Sequence, residues 1–581
     1  MSAGVAVDRS IRTETLSMAA GRRCDLICRI VLLFVWLAVW APRLTGPINF
    51  RWDGSAYYIL GTALAEGKGY RLLNEPGEIQ AVQYPPLLPM IVAAHQRIMG
   101  TSDYLKVGCA LRLTYFILSA LFLLMAYALA RKLLSPLYAL LVGIITALSF
   151  SSLIGPSDVL YAEMPFAVAA IGFLLCQQRG DRPIFAAASG ILAAAAYLLR
   201  TAGIALLLAW IAESLICRRF RQAAIRAAIC ALPVLLWQGH VWQVTRSYQY
   251  HHPVYPYQRT AYYYSNVTYS ENSRLRDPFR PELGEMSVRD MAERLVRNAL
   301  VGPVALGESS VVPKWFVPSL LRHVEDLRLP FSRAWPKLIS GAFYCGLLAI
   351  GLLALGGAVL VATGPQWFLS LYFGITLATI LPTPWQNQFW RYLAPMAPVT
   401  LIFLFVSLLA IRHWLVCQQP RRAHATGTLA AIVPPAAMFL VQLAITAHLF
   451  RSMGPVSYYD AAGRERDFKL IDYGSEWHSL DPAFEWLRRN TANSAVIATT
   501  VPHLGYLRTG HKAVLPPFER NPDTATHLLD EVPVNYLVID SFERPGVSER
   551  YAAPLVAQRP LDWRLVFTAP DGRTRVYERS R

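Results

Sequence analysis

The stretch VGCALRLTYFILSALFLLMAYALA, residues 107–130, decides what kind of protein this is. It is apolar over a length that crosses a bilayer core as a helix, which takes roughly 20 residues. Arg131 and Lys132 close it at once. Comparable runs lie near 27–44, 136–156, 160–178, 184–200, 202–217, 224–244, 338–362, 366–382, 390–412 and 428–450. Together they predict a polytopic α-helical membrane protein of about eleven transmembrane helices. Composition agrees: 54% of the 581 residues are hydrophobic and only 16% are charged, where soluble proteins carry about 25% charge. Disorder and a soluble single-domain enzyme are both excluded. The net charge of +17 is no nucleic-acid surface, because the basic residues gather in short loops between apolar runs, as the positive-inside rule describes. The eight cysteines fall in or beside apolar runs and form no CxxC, so neither a disulfide framework nor a zinc knuckle is indicated.

The same arginines orient the chain. Arg9, Arg12, Arg22, Arg23 and Arg29 come before the first helix proper, and Arg131 with Lys132 follow the second. Arg179 and Arg182 lie between the fourth and fifth, Arg218, Arg219, Arg221 and Arg226 follow the sixth, and Arg412, Arg421 and Arg422 follow the tenth. With eleven spans these loops share one side, which is the cytoplasm. The first run is too long and wrongly flanked for a cleaved signal peptide and reads as a retained helix. Arg200 splits 184–217 into two helices meeting at the opposite face. The expected layout is a cytoplasmic tail 1–26, a membrane domain 27–450 with outer loops 45–106 and 245–337, and an extracytoplasmic α/β domain 451–581. In that last part Asp481-Pro482 and Asn521-Pro522 each read as an N-cap followed by Pro at the first helical position. Ala495–Thr500 and Tyr536–Ile539 read as buried strands, and Trp563–Thr568 with Thr574–Glu578 as a hairpin through Pro570-Asp571-Gly572.

Polar residues collect at the outer face. Asp53, in Phe50-Arg51-Trp52-Asp53-Gly54, is a carboxylate at the membrane boundary. It reads either as a proton acceptor in a partly dehydrated site or as a loop acid paired with Arg51. Residues 55–65 read as an interfacial helix closed by Gly67 and Gly69. Pro85-Pro86 leads into a short helix over 87–99, lying along the surface. Glu163 and Asp158 stand at the outer end of the fourth helix, where an acid facing lipid is unfavourable. Arg391 opens the tenth helix; a planar guanidinium there suits a phosphate or snorkels to the interface. Arg200 binds a phosphate or pairs with one of these acids.

The order of these features resembles the membrane-embedded GT-C glycosyltransferases, in the bacterial branch related to protein O-mannosyltransferases and the lipid A aminoarabinose transferase. The shared elements are Asp53, Tyr57, Ala63–Gly67, Pro85-Pro86-Leu87, Ala162-Glu163-Met164-Pro165-Phe166, Tyr197–Gly203, and Arg391-Tyr392-Leu393-Ala394-Pro395 with Pro398. They cover most of residues 25–450. The resemblance implies a polyprenyl-phosphate sugar as donor and an acceptor hydroxyl on a glycan, lipid or protein. It implies transfer at the outer face of a bacterial cytoplasmic membrane, with inversion. Asp53 is then the general base, with Glu163 beside it. Tyr57, Tyr84, Asp158, Arg200, Arg391 and Tyr392 line the substrate site. Asp53, Glu163 and Arg391 should surround one outward-facing cavity with a lateral opening to lipid. The aminoarabinose transferase branch carries a Glu-Lys pair where Gln83 and Tyr84 stand here, which argues against that sugar and against a metal. Gly54 after Asp53 departs from the Asp-Glu pair of the O-mannosyltransferases, so a protein acceptor is not favoured. No cofactor is expected, and the donor is a substrate. No Gly-rich phosphate loop precedes a soluble helix, which fits a donor that is not a nucleotide sugar.

The loop 245–270 holds Tyr248, Tyr250, Tyr255, Tyr257, Tyr262, Tyr263, Tyr264 and Tyr269. Most read as an aromatic belt at headgroup depth, the remainder as faces for sugar stacking. His251-His252 lacks an acidic partner at metal-ligand spacing. Ser287 caps an amphipathic helix expected to lie on the membrane. The competing reading is a transporter or flippase of a lipid-linked envelope precursor. That reading predicts internal repeats and midplane charges, and the sequence shows neither.

Overall fold

The computed structural model describes residues 23–179, 182–317, 335–418, 423–459 and 463–580. Arg9, Arg12, Arg22, Arg421 and Arg422, and most of the expected 1–26 tail, lie outside the described residues. All eleven apolar runs are helical, but their lengths differ from expectation. Among the described residues six helices are long and apolar enough to span: Arg23–Arg43, Tyr104–Ala130, Phe220–Thr245, Lys337–Ala362, Gln386–Cys417 and Ile432–Arg451. Pro136–Leu148 and Phe150–Asp158 form a seventh candidate, bent by 68°. The other four, Glu163–Gln177, Pro183–Leu199, Thr201–Ile216 and Trp367–Ile380, are shorter. A 15-residue helix such as Glu163–Gln177 rises only about 22 Å, less than a bilayer core. All eleven expected segments are therefore present as apolar helices, six or seven of them of full spanning length and four shorter. The chain is a multi-pass membrane protein.

Local chemistry sets these ends. Asp103 caps Tyr104–Ala130, its carboxylate accepting from Leu105 N at 2.9 Å, and Pro136 and Pro183 stand in the first turns of their helices, where a missing N–H is harmless. Ser149, in extended conformation, stops Pro136–Leu148 and starts the bend. Arg200 is likewise extended and separates Pro183–Leu199 from Thr201–Gly203, as expected. The helices meet closely: a Cβ at Gly351 would overlap the Pro303 carbonyl, and one at Gly357 the Phe403 carbonyl. Small residues at crossings are how helices pack where lipid supplies no hydrophobic drive.

The 45–106 loop folds into two short helices, Asp53–Ala65 and Leu87–Met99. The first is covered by protein, with Gly54–Gly61 all buried. Val288–Ser310 is capped by Ser287 through a capping box with Asp290. Val288 and Val296 are exposed, whereas Arg294, Asn298 and Val304–Ser310 are buried, the last stretch against Trp335–Ala362.

From Gly454 the chain forms a hairpin, β1 (Gly454–Tyr459) with β2 (Glu465–Leu470), then a five-stranded sheet. Its strands are β3 (Val496–Ala498), β4 (Lys512–Val514), β5 (Val534–Ile539), β6 (Trp563–Thr568) and β7 (Arg575–Arg579), in the order β4-β3-β5-β7-β6. β4, β3 and β5 are parallel, and the β6–β7 hairpin is antiparallel. Asn521 caps Pro522–Glu531, accepting from Asp523 N and Thr524 N, each at 3.0 Å. Asp481-Pro482 starts nothing: the helix runs Ser475–Asn490 with Pro482 inside it. Asp481 instead pairs with Arg508 at 2.8 Å.

Candidate active site

A backbone bridge builds the site. Asn49 pairs in parallel with Val159; Asn49 N donates to Asp158 O at 3.0 Å and Leu160 N to Asn49 O at 2.9 Å. The helix beginning at Asp53 and the helix beginning at Glu163 therefore start side by side. Arg200 arrives at the break after Pro183–Leu199, and Arg391 from the short helix Phe389–Leu393.

These four side chains form one network. Arg391 Nη2 donates to Asp53 Oδ2 at 2.6 Å, and Arg391 Nε donates to Glu163 Oε1. Arg200 Nη1 lies 3.0 Å from the same Oε1. On the other carboxylate oxygen, Asp53 Oδ1 accepts from Tyr84 OH at 3.1 Å and from Tyr264 OH at 3.2 Å. The Tyr161 ring faces the Arg391 guanidinium at 3.9 Å, and the Tyr392 ring faces Arg200 at 5.4 Å. Tyr57 is buried with its ring 4.9 Å from that of Tyr84. The Asp53 side chain is 15% exposed and that of Glu163 1%. Burial pushes the Asp53 carboxyl up, but Arg391, with Tyr84 and Tyr264, holds it below the usual carboxylate range.

The structure thus brings together Asp53, Glu163, Arg200, Arg391, Tyr84, Tyr57 and Tyr392. It does not bring Asp158. That acid lies 3.2 Å from Arg112 and 3.5 Å from Arg43, in a cluster where all three side chains are almost wholly buried. Arg112 also donates twice to the Pro47 carbonyl, at 2.9 and 2.7 Å. Asp158 thereby secures the loop that carries Asp53, apart from the Asp53–Arg391–Glu163–Arg200 network. The Asp53, Arg391 and Arg200 side chains keep 15%, 14% and 15% of their surface exposed; two surface cavities of about 380 and 470 Å³ lie elsewhere. Among the described residues no group of three or more His, Cys, Asp or Glu is placed to hold a metal.

The belt reading of the tyrosine loop is also corrected. Tyr248 is exposed, but Tyr250, Tyr255, Tyr257 and Tyr263 are buried. Tyr255 OH and Tyr263 OH donate to the fully buried Glu75 at 2.7 and 2.5 Å. Tyr262 stacks on Phe518, and Tyr264 reaches Asp53. Sequence reasoning missed Tyr264, Tyr161 and the contribution of the C-terminal sheet. Trp52, at φ 50° immediately before Asp53, packs against Trp477 at 5.0 Å and Phe542 at 5.4 Å. His503 lies within electrostatic reach of Asp53, and its Nε2 is buried without a hydrogen-bond partner. Burial pulls its imidazole down to about 4, opposed by the Asp53 charge. The dense tyrosines were the visible signal for Tyr264; nothing local marked His503.

No protein-family model matches this chain, and no curated protein sequence is similar to it. Solved structures are. The oligosaccharyltransferase of Archaeoglobus fulgidus, tethered to an acceptor peptide containing the NVT sequon, superposes with a TM-score of 0.50 at 14% identity, covering 96% of this chain and 74% of that one. ArnT from Cupriavidus metallidurans superposes at 0.48, both bound to undecaprenyl phosphate (12% identity, 95% and 97% covered) and in the apo state (11%, 96% and 98%). The chain shares the GT-C fold with the archaeal oligosaccharyltransferase.

Proposed function

We propose that this protein is an inverting glycosyltransferase that moves a sugar from a polyprenyl-phosphate donor to an acceptor hydroxyl. The site faces the outer side of the membrane. The observation that carries the reading is the Asp53–Arg391 pair at 2.6 Å, backed by Glu163 and Arg200. One carboxylate and two guanidiniums at the start of short membrane helices match what this chemistry requires. Asp53 accepts the proton of the acceptor hydroxyl as that oxygen bonds to the sugar C1. The bond from C1 to the phosphate oxygen breaks on the opposite face, its electron pair leaves with the phosphate, and the anomeric configuration inverts. Arg391 and Arg200 stabilise the charge gathering on the departing phosphate, an effect worth several kcal/mol in a water-poor site. Glu163, almost wholly enclosed, holds both arginines from behind. The fold supports the class, since it is shared with an enzyme that glycosylates an acceptor. The absence of a Gly-rich nucleotide loop supports a lipid-linked donor.

The test uses purified protein in nanodiscs, a panel of labelled polyprenyl-phosphate hexoses and pentoses, and envelope extract as acceptor. Asp53→Asn should lower transfer by at least about 100-fold, the usual weight of a general base, with folding intact. The product should show inverted configuration. Equal transfer by wild type and variant would remove Asp53 as the base.

A further inference from the structure

The resting site contains a contradiction that the chemistry must resolve. A general base needs a free oxygen, yet both oxygens of Asp53 are engaged. Oδ1 accepts from Tyr84 and Tyr264, and Oδ2 faces Arg391. A phosphate seat needs a free guanidinium, yet Arg391 spans Asp53 and Glu163. The two carboxylates are not equivalent, however. The Asp53 side chain is 15% exposed and that of Arg391 14%, whereas that of Glu163 is 1%. An anion entering the site meets Arg391 on its Asp53 side and leaves the Glu163 contact in place. Glu163 also holds Arg200 through the same oxygen, so the second guanidinium is already set beside the first. Two carboxylates and two guanidiniums sum to zero charge. The site has one more counter-ion than it needs once a phosphate arrives.

We propose that the Asp53–Arg391 ion pair is an exchangeable plug: the donor phosphate displaces Asp53 Oδ2 from Arg391, and this displacement both seats the donor and frees the base. The proposal rests on the transferase reading and deepens it. Oδ1 stays held by the two phenols, which keep the carboxylate aimed, while Oδ2 becomes the oxygen that takes the acceptor proton. Losing Arg391 as counter-ion also removes the main influence that keeps the Asp53 carboxyl low, so the base strengthens when the donor is bound. Binding is therefore ordered, donor first. By linkage, whatever weakens Asp53's hold on Arg391 strengthens phosphate binding by the same factor.

The consequence runs against ordinary expectation for a catalytic residue. Deleting the Asp53 charge should tighten donor-phosphate binding while abolishing transfer. The experiment is equilibrium binding of undecaprenyl phosphate to the full chain in nanodiscs at fixed pH and salt. Wild type, Asp53→Asn and Glu163→Gln are compared, with thermal midpoints as the folding control; Asp53→Ser replaces Asp53→Asn if the amide variant does not fold. Coupling energies between such sites correspond to about 5–150-fold. Asp53→Asn should lower Kd by at least about fivefold, and Glu163→Gln should raise it. Binding by wild type with an equal or weaker affinity in Asp53→Asn overturns the exchange and leaves the transferase reading standing. No binding by wild type or by either Asp53 variant overturns both.

Discussion

At the scale of the residue, the account turns on how one carboxylate is held. Asp53 opens its helix directly after Trp52, whose φ of 50° is an unfavourable conformation for a bulky side chain and is secured by Trp477 and Phe542. Tyr84 and Tyr264 aim Oδ1 without neutralising it. Replacing both by Phe should lower kcat by about tenfold or more, each hydrogen bond to a charged group being worth roughly 1.5–3 kcal/mol. The Kd for undecaprenyl phosphate should stay within about twofold, which separates aiming the base from seating the donor. Two further residues beside the site carry a pH signature. His503 is pulled from 6.5 to about 4, so the unfolded chain binds more protons than the folded chain between those values. Stability is complete above about 6.5 and is lost as pH falls through that window. His503→Gln should remove up to about 3 kcal/mol of acid-side loss, read as a flatter Tm between pH 6.5 and 4.5. Asp472 behaves oppositely. Burial raises its carboxyl from 3.8 to about 6 against the pull of Arg51. Its folded form therefore holds a proton the unfolded form releases, and stability falls as pH rises through that range. Asp472→Asn should raise Tm at pH 7. Asn also tolerates the φ of 52° at this position.

At the scale of the element, the charges of the candidate site were legible because each marks the end of an apolar run. Asp53, Glu163, Arg200 and Arg391 are polar residues where a helix meets the boundary, and their order along the chain points to one face. Helix lengths were less legible. Apolar composition does not fix helix ends, and Glu163–Gln177 and Trp367–Ile380, of 15 and 14 residues, are shorter than the apolar runs that contain them. Asp481-Pro482 misled because a Pro in the first turns of a helix and a Pro further inside it look alike without the packing partner. Asp158 shared its signal with Glu163, both acids near one helix end. Only the structure shows that Arg43 and Arg112 claim it. Removing one member of a buried ion cluster leaves an uncompensated charge, at a cost of about 3–5 kcal/mol. Asp158→Ala should therefore lower Tm sharply, while transfer per folded molecule stays near wild type. A loss of activity at unchanged Tm would return Asp158 to the substrate site. The helix crossings give a second expectation. Gly351→Leu forces Trp335–Ala362 away from the Pro303 carbonyl and should destabilise by more than about 2 kcal/mol, read as a lower Tm in the same detergent.

At the scale of the whole molecule, the C-terminal sheet is fastened to the loops that carry the site. Arg51 donates to the carbonyls of Ile471 and Asp472 and stacks near Tyr473 and Trp477. β4 docks on the outer loop through Ala513 N to Asn74 O at 2.8 Å and Lys512 Nζ to Leu73 O at 2.6 Å. Glu75 collects Tyr255, Tyr263 and Gln258, and the Tyr263 hydroxyl in turn accepts from Leu515 N at 2.7 Å. None of this was legible in the sequence. The partners lie 180 residues or more apart, and a tyrosine that binds a buried acid looks like one that lies at the headgroups. The parts are therefore joined: the sheet fixes Arg51 and Trp52, these fix Asp53, and Asp53 and Arg391 hold each other; in the proposed exchange a phosphate separates them. The most direct measurement is an experimental structure of the full chain in nanodiscs with undecaprenyl phosphate. The account predicts phosphate oxygens within hydrogen-bond distance of Arg391, with Arg200 beside them, Glu163 still on both arginines, and Asp53 Oδ2 released. A phosphate bound elsewhere, with the Asp53–Arg391 pair intact, would contradict it.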